Sequence, residues 1–181
     1  MDNAILGCNR ATHLIQQLLT LARLDSIKMT DAEACPIRQL AAEIISEIAP
    51  AALDKGISFE LVDGEEVVIQ GISSLLRIML RNLIDNAVRY TPPGTQIHVQ
   101  VSRDANQIKV TVTDNGPGVP EEYLKNLSQR FYRPLGTDSS GSGLGLSIVK
   151  RIAEIHDAEL RLSNNQEGNG FQAIVTFNAI Q

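Results

Sequence analysis

The sequence predicts an α+β protein: a two-layer α/β sandwich in which a mixed sheet carries helices on one face, preceded by one amphipathic helix. Three observations carry that expectation. Segments of helical periodicity alternate with short period-2 segments from Pro36 onward. Two of the latter, 96–102 and 107–113, are separated only by Arg103-Asp104-Ala105-Asn106, the spacing of a hairpin. A further helical stripe, 9–25, stands ahead of a segment in which the periodicity dissolves.

The elements follow in order. Ala11, Leu14, Ile15, Leu18, Leu21 and Ala22 recur at helical spacing, with Arg10, Gln16, Gln17 and Arg23 mostly opposite. Leu19 and Leu24 widen that apolar face beyond what one neighbour would cover. The pattern is lost through Ser26–Asp31, so a first unit spans 1–30 and a second 36–181, with Pro36 marking the break. Ile37–Lys55 reads as a helix with Leu40, Ala41, Ile44, Ile48 and Ala51 on one side, stopped by Gly56. Residues 57–61 and 67–69 read as short strands. Ser73 or Ser74 offers a cap for the next helix, which Pro92-Pro93-Gly94 ends. The hairpin follows, then an aperiodic stretch to Gly143, a helix over 144–156, and strands near 159–163 and 171–177 with Asn169-Gly170 in the turn.

Composition narrows the function. Hydrophobic content of 43% supports a packed core, while 4% aromatics leaves Leu, Ile, Val and Ala to fill it. A net charge of −5 argues against nucleic acid as main partner, because phosphate backbones need a basic surface. Two cysteines, Cys8 and Cys35, build neither a disulfide framework nor a metal cage. No apolar run is long enough to cross a bilayer.

Four blocks carry chemistry. Asn82, Asn86 and Arg89 lie four and three apart, on one helix stripe opposite Leu80, Leu83, Ile84 and Ala87. Two amides and a cation on one face suit phosphate and metal, since an Asn carbonyl is a hard oxygen ligand for Mg²⁺. Asp114 closes a strand ahead of Gly116 and Gly118; its carboxylate suits an exocyclic amine such as adenine's, although Asp-Asn-Gly is turn chemistry in any protein. Arg130-Phe131-Tyr132-Arg133 sits in the aperiodic stretch, where a lid would bring Arg130 or Arg133 to a terminal phosphate with Phe131 as anchor. The same four residues also read as a solvated basic pair beside a half-buried aromatic. Gly141-Ser142-Gly143-Leu144-Gly145-Leu146 opens a helix, whose free amides suit phosphate oxygens. None of His13, His98 and His156 has the surroundings of a catalytic group, and His156 ends a helix where its charged form favours the dipole.

Together these blocks resemble the catalytic domain of sensor histidine kinases, within the superfamily of gyrase B, Hsp90 and MutL. Residues 82–90 resemble the N box, Asp114-x-Gly116-x-Gly118 the first glycine box, 130–133 the F box and 141–146 the second glycine box. Arg-Phe-Tyr-Arg-Pro and Gly-Ser-Gly-Leu-Gly-Leu-Ser-Ile-Val are similar to the OmpR-partnered class, of the QseC or PmrB kind. Residues 9–25 resemble the second helix of a dimerisation and phosphotransfer hairpin.

The resemblance implies cofactors ATP and Mg²⁺, with Asn86 on the metal and Asn82, Arg130 and Arg133 near the transferred phosphoryl group. It places Arg89, Tyr90, Asp114, Gly116, Gly118, Gly141, Gly143, Leu144, Gly145 and Leu146 around the nucleotide. It implies a phosphoacceptor hairpin and a response regulator as partners, and a dimeric parent anchored in the bacterial inner membrane with this part in the cytoplasm.

Two departures stand out. Ser128 and Gln129 occupy places where the F box carries a Phe and an acid, which implies different lid anchoring. No histidine has the acidic neighbour and downstream Pro of a phosphoacceptor, so the chain is expected to be half a hairpin plus an intact kinase domain. The alternatives are a serine kinase or ATPase of the same superfamily, or a non-catalytic ATP-gated binding module. A P-loop enzyme is excluded, as no Lys-Ser/Thr follows the glycines, and Leu146-Ser147 interrupts the spacing of a eukaryotic-type kinase loop.

Overall fold

The computed structural model describes residues 2–27, 29–104, 106–134, 141–165 and 169–179, with backbone alone at 2–6, 9, 10, 13 and 30. The order is α1 (Asp2–Leu24), a 3₁₀ turn (Met29–Asp31), β1 (Glu33–Pro36), α2 (Ile37–Leu53), β2 (Ser58–Leu61), β3 (Val68–Gly71) and α3 (Ser73–Tyr90). Then come β4 (Gln96–Asp104), β5 (Gln107–Asp114), the single-turn α4 (Glu121–Leu124), α5 (Gly145–Ile155), β6 (Glu159–Asn164) and β7 (Phe171–Asn178).

The main sheet runs β2-β4-β5-β7-β6, with β2 parallel to β4 and the other pairs antiparallel. The sheet is therefore mixed, as expected. Its register follows from period-2 sequence: Ile97, Val99 and Val101 on β4, Ile108, Val110 and Val112 on β5, and Ala173, Val175 and Phe177 on β7 all turn to one buried face. Helices α2, α3 and α5 pack there. Lys109, Thr111, Thr113 and Thr176 alternate onto a half-exposed face, the arrangement an antiparallel sheet tolerates.

Several local expectations are corrected. A strand, β1, forms within the predicted break and pairs antiparallel with β3 as a separate two-stranded sheet. Pro36 ends it, where a missing N–H costs no ladder bond. Neither Ser73 nor Ser74 caps α3; its N-cap is Ile72, without a side-chain cap bond. For α2 the Glu66 carboxylate, remote in sequence, accepts the Arg38 and Gln39 N–H groups at 3.0 and 3.1 Å. A carboxylate there answers both the orphan donors and the helix dipole.

Helix α1 is longer than predicted, and its last turn docks on α5. Leu21 and Leu24 are buried, each contributing about 1.5–3 kcal/mol. Ile15, Leu18 and Leu19 remain exposed, so the upstream stripe is uncovered as its width predicts. The side chain of His13 lies outside the described residues.

His156 reverses its sequence reading. It is 8% exposed; its Nε2 accepts the Ile72 N–H at 3.1 Å, and Nδ1 lies 2.8 Å from the Ile152 carbonyl. Only the neutral ring, protonated at Nδ1, satisfies both contacts. It pins the end of α5 to the start of α3. Burial pushes its pKa below 6.5, against an opposing pull from the Ile152 carbonyl and Asp157. His98 faces Glu60 at 3.1 Å across the β2–β4 pair and serves the sheet surface.

The sign of the resulting pH dependence follows. The unfolded chain takes up a proton on His156 near pH 6.5, while the fold resists it. The His156 contribution to stability should be complete above that pH and fall below it by at most about 1.4 kcal/mol per pH unit, until the folded ring protonates too. Urea denaturation between pH 8 and 5 should show this component in the native chain and not in His156→Gln.

Candidate functional site

The periodicity of α3 sorts its side chains into two roles. Leu76, Met79, Leu80, Leu83 and Ile84 are at most 2% exposed and seat the helix in the core. Asn82, Asp85, Asn86, Arg89 and Tyr90 border a cleft of about 260 Å³. Asn82 Nδ2 donates to the Ile78 carbonyl at 2.8 Å. That bond aims Oδ1 at Gly145, where an added Cβ would stand 3.2 Å away. The Asn86 amide meets no protein partner among the described residues and faces the cleft.

Asp114 ends β5 and is 7% exposed. Its Oδ1 accepts the N–H of Gly116 at 2.9 Å and of Phe171 at 3.2 Å. Burial pushes its pKa above the usual carboxylate value, and the two amides pull it back. An acid gripped this way holds a fixed direction while still bordering the cleft.

The glycine loop supplies another wall. Gly141 lies against Tyr90 and Arg89; a Cβ there would be 2.9 Å from the Tyr90 hydroxyl and 3.3 Å from Arg89 Nη1. Arg133 Nη1 donates to the Gly141 carbonyl at 3.1 Å. Phe131 donates its N–H to the Gly143 carbonyl at 2.9 Å. Gly143 has φ +72 and would place a Cβ 2.8 Å from the Phe131 carbonyl carbon, so no other residue fits. Gly145 then begins α5, whose first amides have no intrahelical acceptor.

Of the residues named from sequence, the fold brings Asn82, Asn86, Arg89, Tyr90, Asp114, Gly118, Arg133, Gly141, Gly143, Gly145 and Leu146 around this one cleft. Gly116 sits behind it, bonded to Asp114. Leu144 is fully buried and packs in the core rather than on the cleft. Arg130 turns away to Asp25, 3.6 Å distant, and Arg151 meets the same carboxylate at 3.4 Å. Phe131 is not an anchor: it is 59% exposed at φ 64. Leu127, four positions earlier, is half-buried against the core and borders the cleft.

Sequence reasoning missed Gln17, Val119 and Phe171. Gln17 of α1 borders the cleft and bonds to Ser142, 125 positions away. No local pattern announces such a contact. Phe171 had one available signal, as the first apolar residue after the Asn169-Gly170 turn.

Among the described residues no cluster of three His, Cys, Asp or Glu could hold a metal. The cleft instead offers amide and carboxylate oxygen, the donor chemistry Mg²⁺ accepts when phosphate and water complete its shell. The described residues fit Mg²⁺ delivered with a nucleotide.

The family model "Histidine kinase-, DNA gyrase B-, and HSP90-like ATPase" matches residues 71–180. Sensor protein QseC of Escherichia coli strain K12 is 41% identical over 173 residues, covering 94% of this chain and 37% of QseC. Sensor protein kinase PmrB of Pseudomonas aeruginosa is 41% identical over 168 residues, covering 92% and 35%. The solved cytoplasmic segment of histidine kinase QseC superposes with a TM-score of 0.64 at 32% identity, covering 95% of each chain. The chain belongs to the histidine kinase-, gyrase B- and HSP90-like ATPase family, and within it to the sensor histidine kinases. It spans a little over a third of the length of these curated relatives.

Gly143→Ala should destabilise the fold by about 1–3 kcal/mol through its positive φ and the collision with Phe131. Gly64→Ala, whose Cβ would meet only an ordinary contact at 3.4 Å, should cost far less in the same urea titration.

Proposed function

We propose that this chain binds Mg²⁺-ATP in the cleft and passes the γ-phosphoryl group to a histidine on a dimerisation and phosphotransfer hairpin, in two-component signalling. The observation that carries the reading is the convergence of the Asn82–Asn86–Arg89 stripe, the start of α5 and buried Asp114 on one cleft. Asp114 accepts the adenine amine with the carboxylate oxygen not engaged by Gly116 and Phe171. The free amides at the start of α5 and the Arg89 guanidinium receive phosphate oxygens. Asn86 would hold the metal, which would supply charge neutralisation at the phosphates when bound. Asn82 orients the terminal phosphate, and Arg133, bonded to Gly141, holds the lid side. Phosphoryl transfer asks mainly for positioning and charge neutralisation, which these groups supply.

Hydrolysis is the weaker reading. Water activation needs a base, and Asn82 carries an amide whose nitrogen is already committed to Ile78. Binding without catalysis, in which the lid only reports nucleotide, is separated by experiment. Helix α1, with Ile15, Leu18 and Leu19 exposed, suits one half of a hairpin whose other half carries the phosphoacceptor. The parent is then a dimeric inner-membrane sensor with this part in the cytoplasm, acting on a response regulator. Among the described residues no helix is long and apolar enough to cross a membrane.

Asn86→Asp should abolish Mg²⁺-dependent ATP binding in titration calorimetry while thermal unfolding stays cooperative; unchanged binding would remove the metal assignment. Given γ-labelled ATP, the chain alone should stay unlabelled and a separately added phosphoacceptor hairpin should be labelled. Acid-labile label on His13 would overturn the reading of α1, and an unlabelled hairpin would leave only nucleotide binding.

A further inference from the structure

One side chain outside the cleft holds a residue that borders it. Asn164 ends β6 and stands opposite Phe171 in the β6–β7 register. Its Oδ1 accepts the Val119 N–H at 2.8 Å, and its Nδ2 donates to the Val119 carbonyl at 2.7 Å. A carboxamide carries acceptor and donor side by side, so it satisfies both backbone groups of one residue as a neighbouring strand would. Val119 has need of that, because residues 115–120 belong to no helix or strand.

The same step of the β6–β7 ladder grips the other end of the segment. Phe171, the register partner of Asn164, donates its N–H to Asp114 Oδ1. The 114–119 segment is thus held at both ends by one pair of facing residues. Gly118 lies between the grips with φ +74, and a Cβ there would stand 2.8 Å from Asn164 Oδ1 and 3.2 Å from the Gly170 carbonyl. Its glycine is required by the approach of Asn164 as well as by its backbone angle. Asp114, Gly118, Val119 and Phe171 border the cleft, whereas Asn164 is not among the bordering residues.

We propose that Asn164 is a positioning residue for the nucleotide base, acting through the backbone of Val119; this rests on the reading of the cleft as an ATP site. Without the carboxamide, both backbone groups of Val119 lose their partner and the segment carrying Asp114 loosens. Because Asp114 is the group assigned to the base, the loss falls on recognition of the base and leaves the phosphate contribution intact.

The test measures affinities of the 181-residue chain for ATP, ADP and adenosine by competition against a fluorescent ATP analogue. Asn164→Ala should weaken all three by about tenfold, leaving the ratio between ATP and adenosine unchanged. Asn164→Asp, which keeps the acceptor for Val119 N–H and loses the donor, should fall between native and alanine. It also carries the comparison should the alanine variant fail to fold. Amide hydrogen exchange should speed up at Val119 and stay unchanged at Val110 in the centre of the sheet. A folded variant with native affinities and native protection at Val119 would overturn the proposal, as would a loss confined to ATP. If the native chain binds neither ATP nor adenosine, the nucleotide reading falls and takes this proposal with it; native binding with an unaffected variant removes this proposal alone.

Discussion

The site depends on the seating of α3. Leu76, Met79, Leu80, Leu83 and Ile84 lock one side of the helix into the layer between sheet and cleft. Successive residues on a helix are turned by about 100°, so slipping by one position would carry Asn82, Asn86 and Arg89 off the cleft and bury polar groups without partners. Apolar burial thereby does the orienting that a binding site needs. The long, mutually buried contact with α5 and the His156 bridge to Ile72 keep the helix from sliding along its own axis.

The other walls are loops, and each is held by a contact from elsewhere in the chain. Asp114 is held by the N–H groups of Gly116 and Phe171, and Val119 by the Asn164 carboxamide. The Phe131–Gly143 and Arg133–Gly141 bonds tie the 130–133 segment to the glycine loop. Helix α1 reaches the same region through Gln17 to Ser142 and through Asp25, which faces both Arg130 and Arg151. These last ion pairs are exposed and contribute little stability. Buried Leu21 and Leu24, packed on α5, are what hold α1 beside the cleft.

Much of this was readable before any coordinates. The β4–β5 hairpin, the apolar and polar sides of α3, and the helix opening at the glycine loop each rest on local periodicity or turn chemistry, which neighbours in sequence enforce. The readings that failed depended on non-local partners. Phe131 resembled an anchor by residue type, yet its side chain is exposed while its backbone is bonded to Gly143. Ser73 and Ser74 are good capping residues in the wrong place, since the chain enters α3 one residue earlier. His156 was assigned to a helix dipole, but its ring is buried between two backbone groups that only the neutral form can satisfy. Leu144, inside the glycine motif, is placed in the core by the packing of α5.

What the sequence by itself determined is the set of chemical groups and their local frames: amides four apart on a stripe, an acid at a strand end, glycines at a helix start. Periodicity and backbone permissiveness are properties of adjacent residues, so they survive without knowledge of the fold. Only tertiary structure decided which groups meet. Gln17 with Ser142, Asn164 with Val119, and Asp25 with two arginines join residues far apart in the chain. Such pairings are chosen by how the layers pack, since a polar group takes whichever partner burial brings within reach, and no local pattern encodes that choice.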